Sequence, residues 1–172
     1  MSNKNQAKGS GNYIDSKQIL EIEIAKGKIA REKVISLQTI IQASNIPLPI
    51  ILNIPQVALT GTKYDFDIIV EKPLGNSILA GGLTAVTPEQ IQGNISPNIH
   101  LSQLGGGGLF KSVKAPLKPG MQHWAAVIAH PEGIIKVTKT VKIVSNKSEI
   151  ISNNSIQGNK VTLLGLSMAN IK

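Results

Sequence analysis

At 172 residues the chain is long enough for one domain with a real core plus tails, and too short for two ordinary domains. It contains no cysteine, which excludes disulfides, thiolate catalysis, Cys-ligated zinc and iron–sulfur clusters. Hydrophobic residues make up 41% but aromatic residues only 3%, so Ile, Val, Leu and Ala must fill the interior, a β-branched composition that favours strands, while a net charge of +8 favours acidic partners.

The opening residues, 1–14, are polar and glycine-bearing, the composition of a flexible tail. They carry no apolar core of signal-peptide length, so a cytoplasmic location is the default expectation. Residues 15–42 are ambiguous between helix and hairpin. Asp15 with Gln18 three residues on suits a helix start, and Ile22, Ile29, Val34, Leu37 and Ile41 fall roughly on one helical face. Against this, Leu20, Ile22 and Ile24 alternate with Glu21 and Glu23, and "AKGK" around Gly27 reads as a turn, so the hairpin is favoured. Gly27 inside a helix would cost about 1 kcal/mol relative to alanine.

From Val34 to Leu59 the chain is greasy but broken by Pro47, Pro49 and Pro55, which argues against a membrane span and for short, edge-type strands. The clearest pattern is "KYDFDIIVEK". Tyr64, Phe66, Ile68 and Val70 alternate with Lys63, Asp65, Asp67 and Glu71, predicting a half-buried strand. "ILAGGLTAV" predicts a second strand, whose Gly81-Gly82 pair implies a bulge or a close backbone approach. Residues 87–104 read as loop-rich with short strand possibilities, without a convincing helix.

The glycine run 105–108 ends two residues before Lys111-Ser112, one substitution short of a phosphate-binding P-loop. Phe110 stands where the last glycine belongs, and Pro116 and Pro119 occupy the required helix, so no nucleotide is expected. The alternative is a loop entering a strand, with Leu109 or Phe110 as the first packed side chain. "QHWAAVIAH" is apolar on both faces and predicts a central strand, with Trp124 sharing parity with Ala126 and Ile128 in the core. "IIKVTKTVKIV" closes the set, and Lys139 interrupts the face formed by Ile135, Val137, Val141 and Ile143. That interruption predicts a phase-shifting bulge or an exposed stretch of face. Residues 146–172 form a C-terminal extension, in which "KVTLLGLSM" is apolar enough for a strand or for docking.

About seven short strands with turns every 8 to 12 residues describe a mainly β chain, an antiparallel sandwich spanning residues 15–145. In "ALTGTKYDFDIIV" and "LKPGMQHWAAVIAHPEGIIKVTKTVKIV" the stretch from Leu52 to Val144 resembles a bacterial immunoglobulin-like domain. Within that class, "SVKAPLKPGMQHWAAVIAHPEGIIKVTKTVKIV" is similar to the sandwich of the thiosulfate-oxidation sulfur-carrier proteins. That family carries its substrate on a terminal cysteine flanked by glycines; with no cysteine in this chain, the resemblance implies the fold alone.

The structural core is expected at Tyr64, Phe66, Trp124 and Ile128. No catalytic, cofactor or metal site is expected. His123 and His130 are an odd number of residues apart on one strand and so point to opposite faces, and no G-x-S-x-G elbow occurs. His130 with Glu132 forms at most a small polar cluster at a strand end. Between residues 111 and 147 there are seven lysines against one acid, Glu132. Lys111, Lys114, Lys136, Lys139 and Lys142 are thus candidates for nucleic-acid or polyanion contact, although Lys residues also guard sheet edges. The leading expectation is a non-enzymatic module for protein contact or self-assembly, and polyanion binding is the alternative.

Overall fold

The structure, a computed structural model, describes residues 11–72, 75 and 77–150. Ten strands and a short helix follow one another: β1 (Gly11–Ala25), β2 (Lys28–Ser44), β3 (Ile50–Asn53), β4 (Val57–Leu59), β5 (Lys63–Val70), β6 (Leu79–Val86), α1 (Pro88–Gln92), β7 (Ser102–Leu104), β8 (Gly108–Lys114), β9 (Gly120–His130) and β10 (Gly133–Val144). The chain is mainly antiparallel β. One sheet runs β1-β2-β10-β9-β6-β7, with β4 parallel on the far half of β10, and a smaller sheet runs β3-β5-β8.

The two sheets share one apolar core. Phe66 and Ile68 of β5 and Leu109 of β8 meet Trp124 and Ile128 of β9 and Ile135, Val137, Val141 and Ile143 of β10. The alternation in β5 is as read from the sequence, with Tyr64, Phe66, Ile68 and Val70 all buried. Trp124 stacks at a tilt on Phe66, ring centres 5.9 Å apart. Its indole N–H donates to the Tyr64 hydroxyl at 2.7 Å, and that hydroxyl donates to Gln122 Oε1 at 2.7 Å. Gln122 Nε2 reaches the Lys114 carbonyl at 3.4 Å. This chain of bonds crosses from one sheet to the other and satisfies the only polar atoms that the aromatic cluster buries.

The ambiguous residues 15–42 are a hairpin, longer than expected: β1 starts at Gly11, inside the segment assigned to the tail, and β2 runs on to Ser44. Lys26 and Gly27 both have positive φ, 52° and 73°, the type I′ turn that matches strand twist. The crowd of β-branched residues and this turn outweigh the single helix-start signal. Residues 1–10 and 151–172, including "KVTLLGLSM", lie outside the described residues.

One further reading changes. Residues 87–104 contain a helix, α1, opened by a capping box in which the Thr87 hydroxyl accepts from Gln90 N–H and the Gln90 side chain accepts from Thr87 N–H. The glycine run leads into strand β8. Leu109 is its first packed side chain and Phe110 is exposed. A Cβ on Gly108 would lie 2.1 Å from the Ile68 carbonyl, so glycine here serves close strand pairing. At Gly82 the close approach is to the His100 carbonyl, 2.2 Å from where a Cβ would stand, which answers the question of bulge or approach raised by Gly81-Gly82.

Trp124→Ala is expected to cost about 3 to 5 kcal/mol, measured by urea denaturation. Tyr64→Phe is expected to cost about 1 to 3 kcal/mol by leaving the indole N–H unpaired. Stability unchanged in either variant would contradict the core described here.

Candidate functional site

One edge of β10 is paired with β9, and the other is shared by two neighbours. From Gly133 to Lys139 it pairs with β2, and from Lys142 to Val144 with β4. β2 therefore leaves the body near Gln38, and a bulge marks the departure: Ser36 pairs with Ile19 and Val34 with Leu20, leaving Ile35 between them. Beyond that point β1 and β2 continue as a two-stranded arm. All residues from Glu21 to Val34 are exposed.

The arm is amphipathic. On one face the register sets Leu20 against Val34, Ile22 against Glu32 and Ile24 against Ile29. Ile24 and Ile29 are 70% and 65% exposed. On the other face Glu21 lies opposite Lys33 and Glu23 opposite Arg31, unlike-charge pairs that favour this register. The irregularity between Glu23 and Ile24 keeps the tip residues on the apolar side.

At the arm's root the apolar face runs into a groove of about 460 Å³ on the outer face of the larger sheet. Val34 and Leu37 of β2, Val86 of β6, Ile91 of α1, and Met121 and His123 of β9 line it. Trp124 of β9 and the polar Thr138, Lys139 and Thr140 of β10 line it too, and His123 Nδ1 is 3.0 Å from Thr140 Oγ1. Burial pushes the pKa of this imidazole down, favouring its neutral form.

Lys139 sits where β10 changes neighbours. The sequence offered a bulge or an exposed face; the structure has neither. β10 pairs with β9 without a register shift from Gly133 to Ile143, and Lys139 is 5% exposed. Its Nζ donates to Ser36 Oγ at 3.1 Å and to Gln38 Oε1 at 3.4 Å, and Ser36 Oγ donates to the Thr140 carbonyl at 3.3 Å. Both acceptors are neutral, and burial pushes the ammonium's pKa down to about 8. Lys139 is thus a strut between β10 and the arm's root, removed from any polyanion surface.

The other lysine candidates do not converge. Lys111 and Lys114 lie on β8 of the smaller sheet, Lys136 and Lys142 on β10 of the larger one. By register Lys111 has the inward parity of the edge strand β8, opposite Phe66, an arrangement that discourages edge pairing. His123 and His130 do leave opposite faces. His130 Nδ1 accepts from the Glu132 backbone N–H at 3.0 Å, and Glu132 pairs with Lys72 at 2.5 Å, which holds its carboxyl below the usual range. Asp67 accepts from Asn53 at 3.1 Å. Among the described residues no cluster of three or more His, Asp or Glu could hold a metal ion, and no helix is long and apolar enough to cross a membrane.

Sequence reasoning did not find the groove. The Thr87–Gln90 capping-box spacing is the local signal that could have found the helix carrying Ile91, whereas Leu37, Val86 and Met121 join it only through strand pairing. Residues 45–144 match the model of a family described as a domain of unknown function, DUF8623. The chain belongs to that family. The DUF8623 match starts directly after β2 and ends with the last residue of β10, so it leaves out β1 and β2 entirely, the arm and its root alike. No protein of curated function matches the chain.

The Lys139 strut predicts a pH signature. The unfolded amine titrates near ~10.4, the folded one near 8, so between these values the unfolded chain binds more protons and stability rises with pH. Discounted for partial solvent contact, the effect is about 2 kcal/mol. Lys139→Met is expected to be more stable than the natural chain at pH 7 and to show a flatter urea midpoint up to about pH 10, where tyrosines begin to titrate. Parallel pH curves for the two proteins would contradict the burial of this amine.

Proposed function

We propose that this protein is a non-enzymatic immunoglobulin-like module for protein contact, an assembly or accessory subunit whose contact surface is the apolar face of the arm and the groove at its root. The observation that carries the reading is the arm. A two-stranded hairpin is marginally stable in water at best, and this one exposes Ile22, Ile24 and Ile29 along one face. Covering such a face removes apolar area from water at roughly 25 cal/mol per Å² and gives the hairpin the third layer it lacks.

The strand order supports the immunoglobulin-like part of the reading. β3-β5-β8 occupy the places of strands A, B and E, β10-β9-β6 those of G, F and C, and β7 extends the second sheet as C′ does in variable-type domains. The likeness to the sulfur-carrier sandwich contributes the fold only, since a chain without cysteine has no thiol to carry sulfur. The polyanion alternative is weakened by the burial of Lys139 and by the division of Lys111, Lys114, Lys136 and Lys142 between two sheets.

A photo-crosslinking residue placed at Ile24 in the full chain, irradiated in an extract of the source cells, is expected to yield a discrete protein adduct, and one at Lys33 on the charged face is not. Retention on an immobilised polyanion should be no more than the non-specific attraction that a net charge of +8 gives at low salt, lost by physiological salt. Retention that persists at physiological salt, together with no adduct at Ile24, would favour the alternative.

A further inference from the structure

The apolar strip has a projecting end and a hollow end, both on one face of one sheet. Through the pairings of β1, β2, β10 and β9, the ridge residues Ile22, Ile24 and Ile29 share a side with Leu37, Thr140, His123 and Met121 of the groove. The ridge cannot reach its own groove, because the arm is an extended hairpin bonded to itself that points away from the body. About seven residue steps of ~3.4 Å separate the turn from Val34, giving the arm a reach of roughly 24 Å. A sheet's strands stand ~4.8 Å apart, so that reach crosses the groove strands of a neighbour.

Resting on the contact reading above, we infer that the partner is a second copy of this chain, the two joined about a two-fold axis with each arm tip seated in the other's groove. A strip with ridge and hollow at opposite ends is self-complementary under a two-fold rotation, which covers both ends of both copies in one contact. Charge agrees with the shape. Among the paired residues of this face in β1, β2, β9 and β10 there is one acid, Glu32 on the arm, and there are two lysines, Lys136 and Lys142, on the body. Lys142 pairs with the groove residue Met121. Seating the arm tip in the partner's groove brings Glu32 toward this basic rim, whereas stacking arm on arm would bring Glu32 toward Glu32.

Size-exclusion chromatography with light scattering on the full chain tests this. The expected mass is twice that of the 18.3 kDa chain. Ile24→Asp with Ile29→Asp, and separately Ile91→Asp, should each give a folded monomer that melts cooperatively at a temperature independent of concentration, below that of the dimer; all three positions are exposed, so folding is not at stake. Glu32→Lys should weaken the dimer and Lys142→Glu in the same chain should restore it. Because the chain has no cysteine, Ile29→Cys mixed with Ile91→Cys under oxidation should give a disulfide joining one of each. A monomeric natural chain, a dimer indifferent to Ile24→Asp with Ile29→Asp, or a preferred disulfide between two Ile29→Cys chains would overturn the inference. If the natural chain is a monomer but the Ile24 photo-crosslinker captures a different polypeptide, the contact reading stands and only the second copy falls; absence of any adduct removes the contact reading itself.

Discussion

A tryptophan in an aliphatic core has to lose its water and still find a partner for its N–H, and in this chain the partner is a tyrosine from the opposite sheet. Trp124 donates to Tyr64, Tyr64 to Gln122, and Phe66 covers the indole face. Those contacts fix β5 over β9, and so fix how the small sheet sits on the large one. With few other aromatic residues in the chain, the remaining core is Ile, Val, Leu and Ala, whose branched shapes pack well on a pleated surface but carry no directional bond. Shape alone leaves two sheets free to slide. The indole–phenol bond removes that freedom, since a shift of either strand would bury an unpaired donor.

Everything beyond the core follows from how β10 is shared. A strand edge can take one neighbour at a time, so the arrival of β4 at Lys142 obliges β2 to leave after Gln38. The departure would strip the Thr140 carbonyl of a partner, and Ser36 supplies it. It also opens a notch into which Lys139 lays its chain, its ammonium held by neutral oxygens. The arm, the groove beside it and the depressed pKa of Lys139 are thus three consequences of one change of pairing.

The parts of this structure governed by alternation were readable in the sequence. Tyr64, Phe66, Ile68 and Val70 on one side of β5, and Trp124 with Ala126 and Ile128 in β9, are set by a period of two that burial enforces. The hairpin was decided by its turn, because Lys26-Gly27 takes a conformation that no helix interior allows. What stayed hidden depended on pairing between distant strands. Lys139 has the parity of a core residue, yet its acceptors Ser36 and Gln38 lie some hundred residues earlier, so sequence spacing alone offered only a bulge or an exposed face. The groove is assembled from β2, β6, β9, β10 and α1, which only long-range pairing brings together, and α1 itself went unread although its capping box is a local signal. The lysine-rich segment read as one basic face because its residues are near in sequence, whereas β8 and β10 carry them to different sheets.

The most direct test of the account uses the chain's single tryptophan, which reports from between the two layers without any labelling. Fluorescence of the folded full chain should be blue-shifted and weakly quenched by acrylamide, with quenching rising to that of free indole only across the urea transition. Emission near that of water-exposed indole and strong quenching in the absence of urea would show that the two sheets do not close over Trp124.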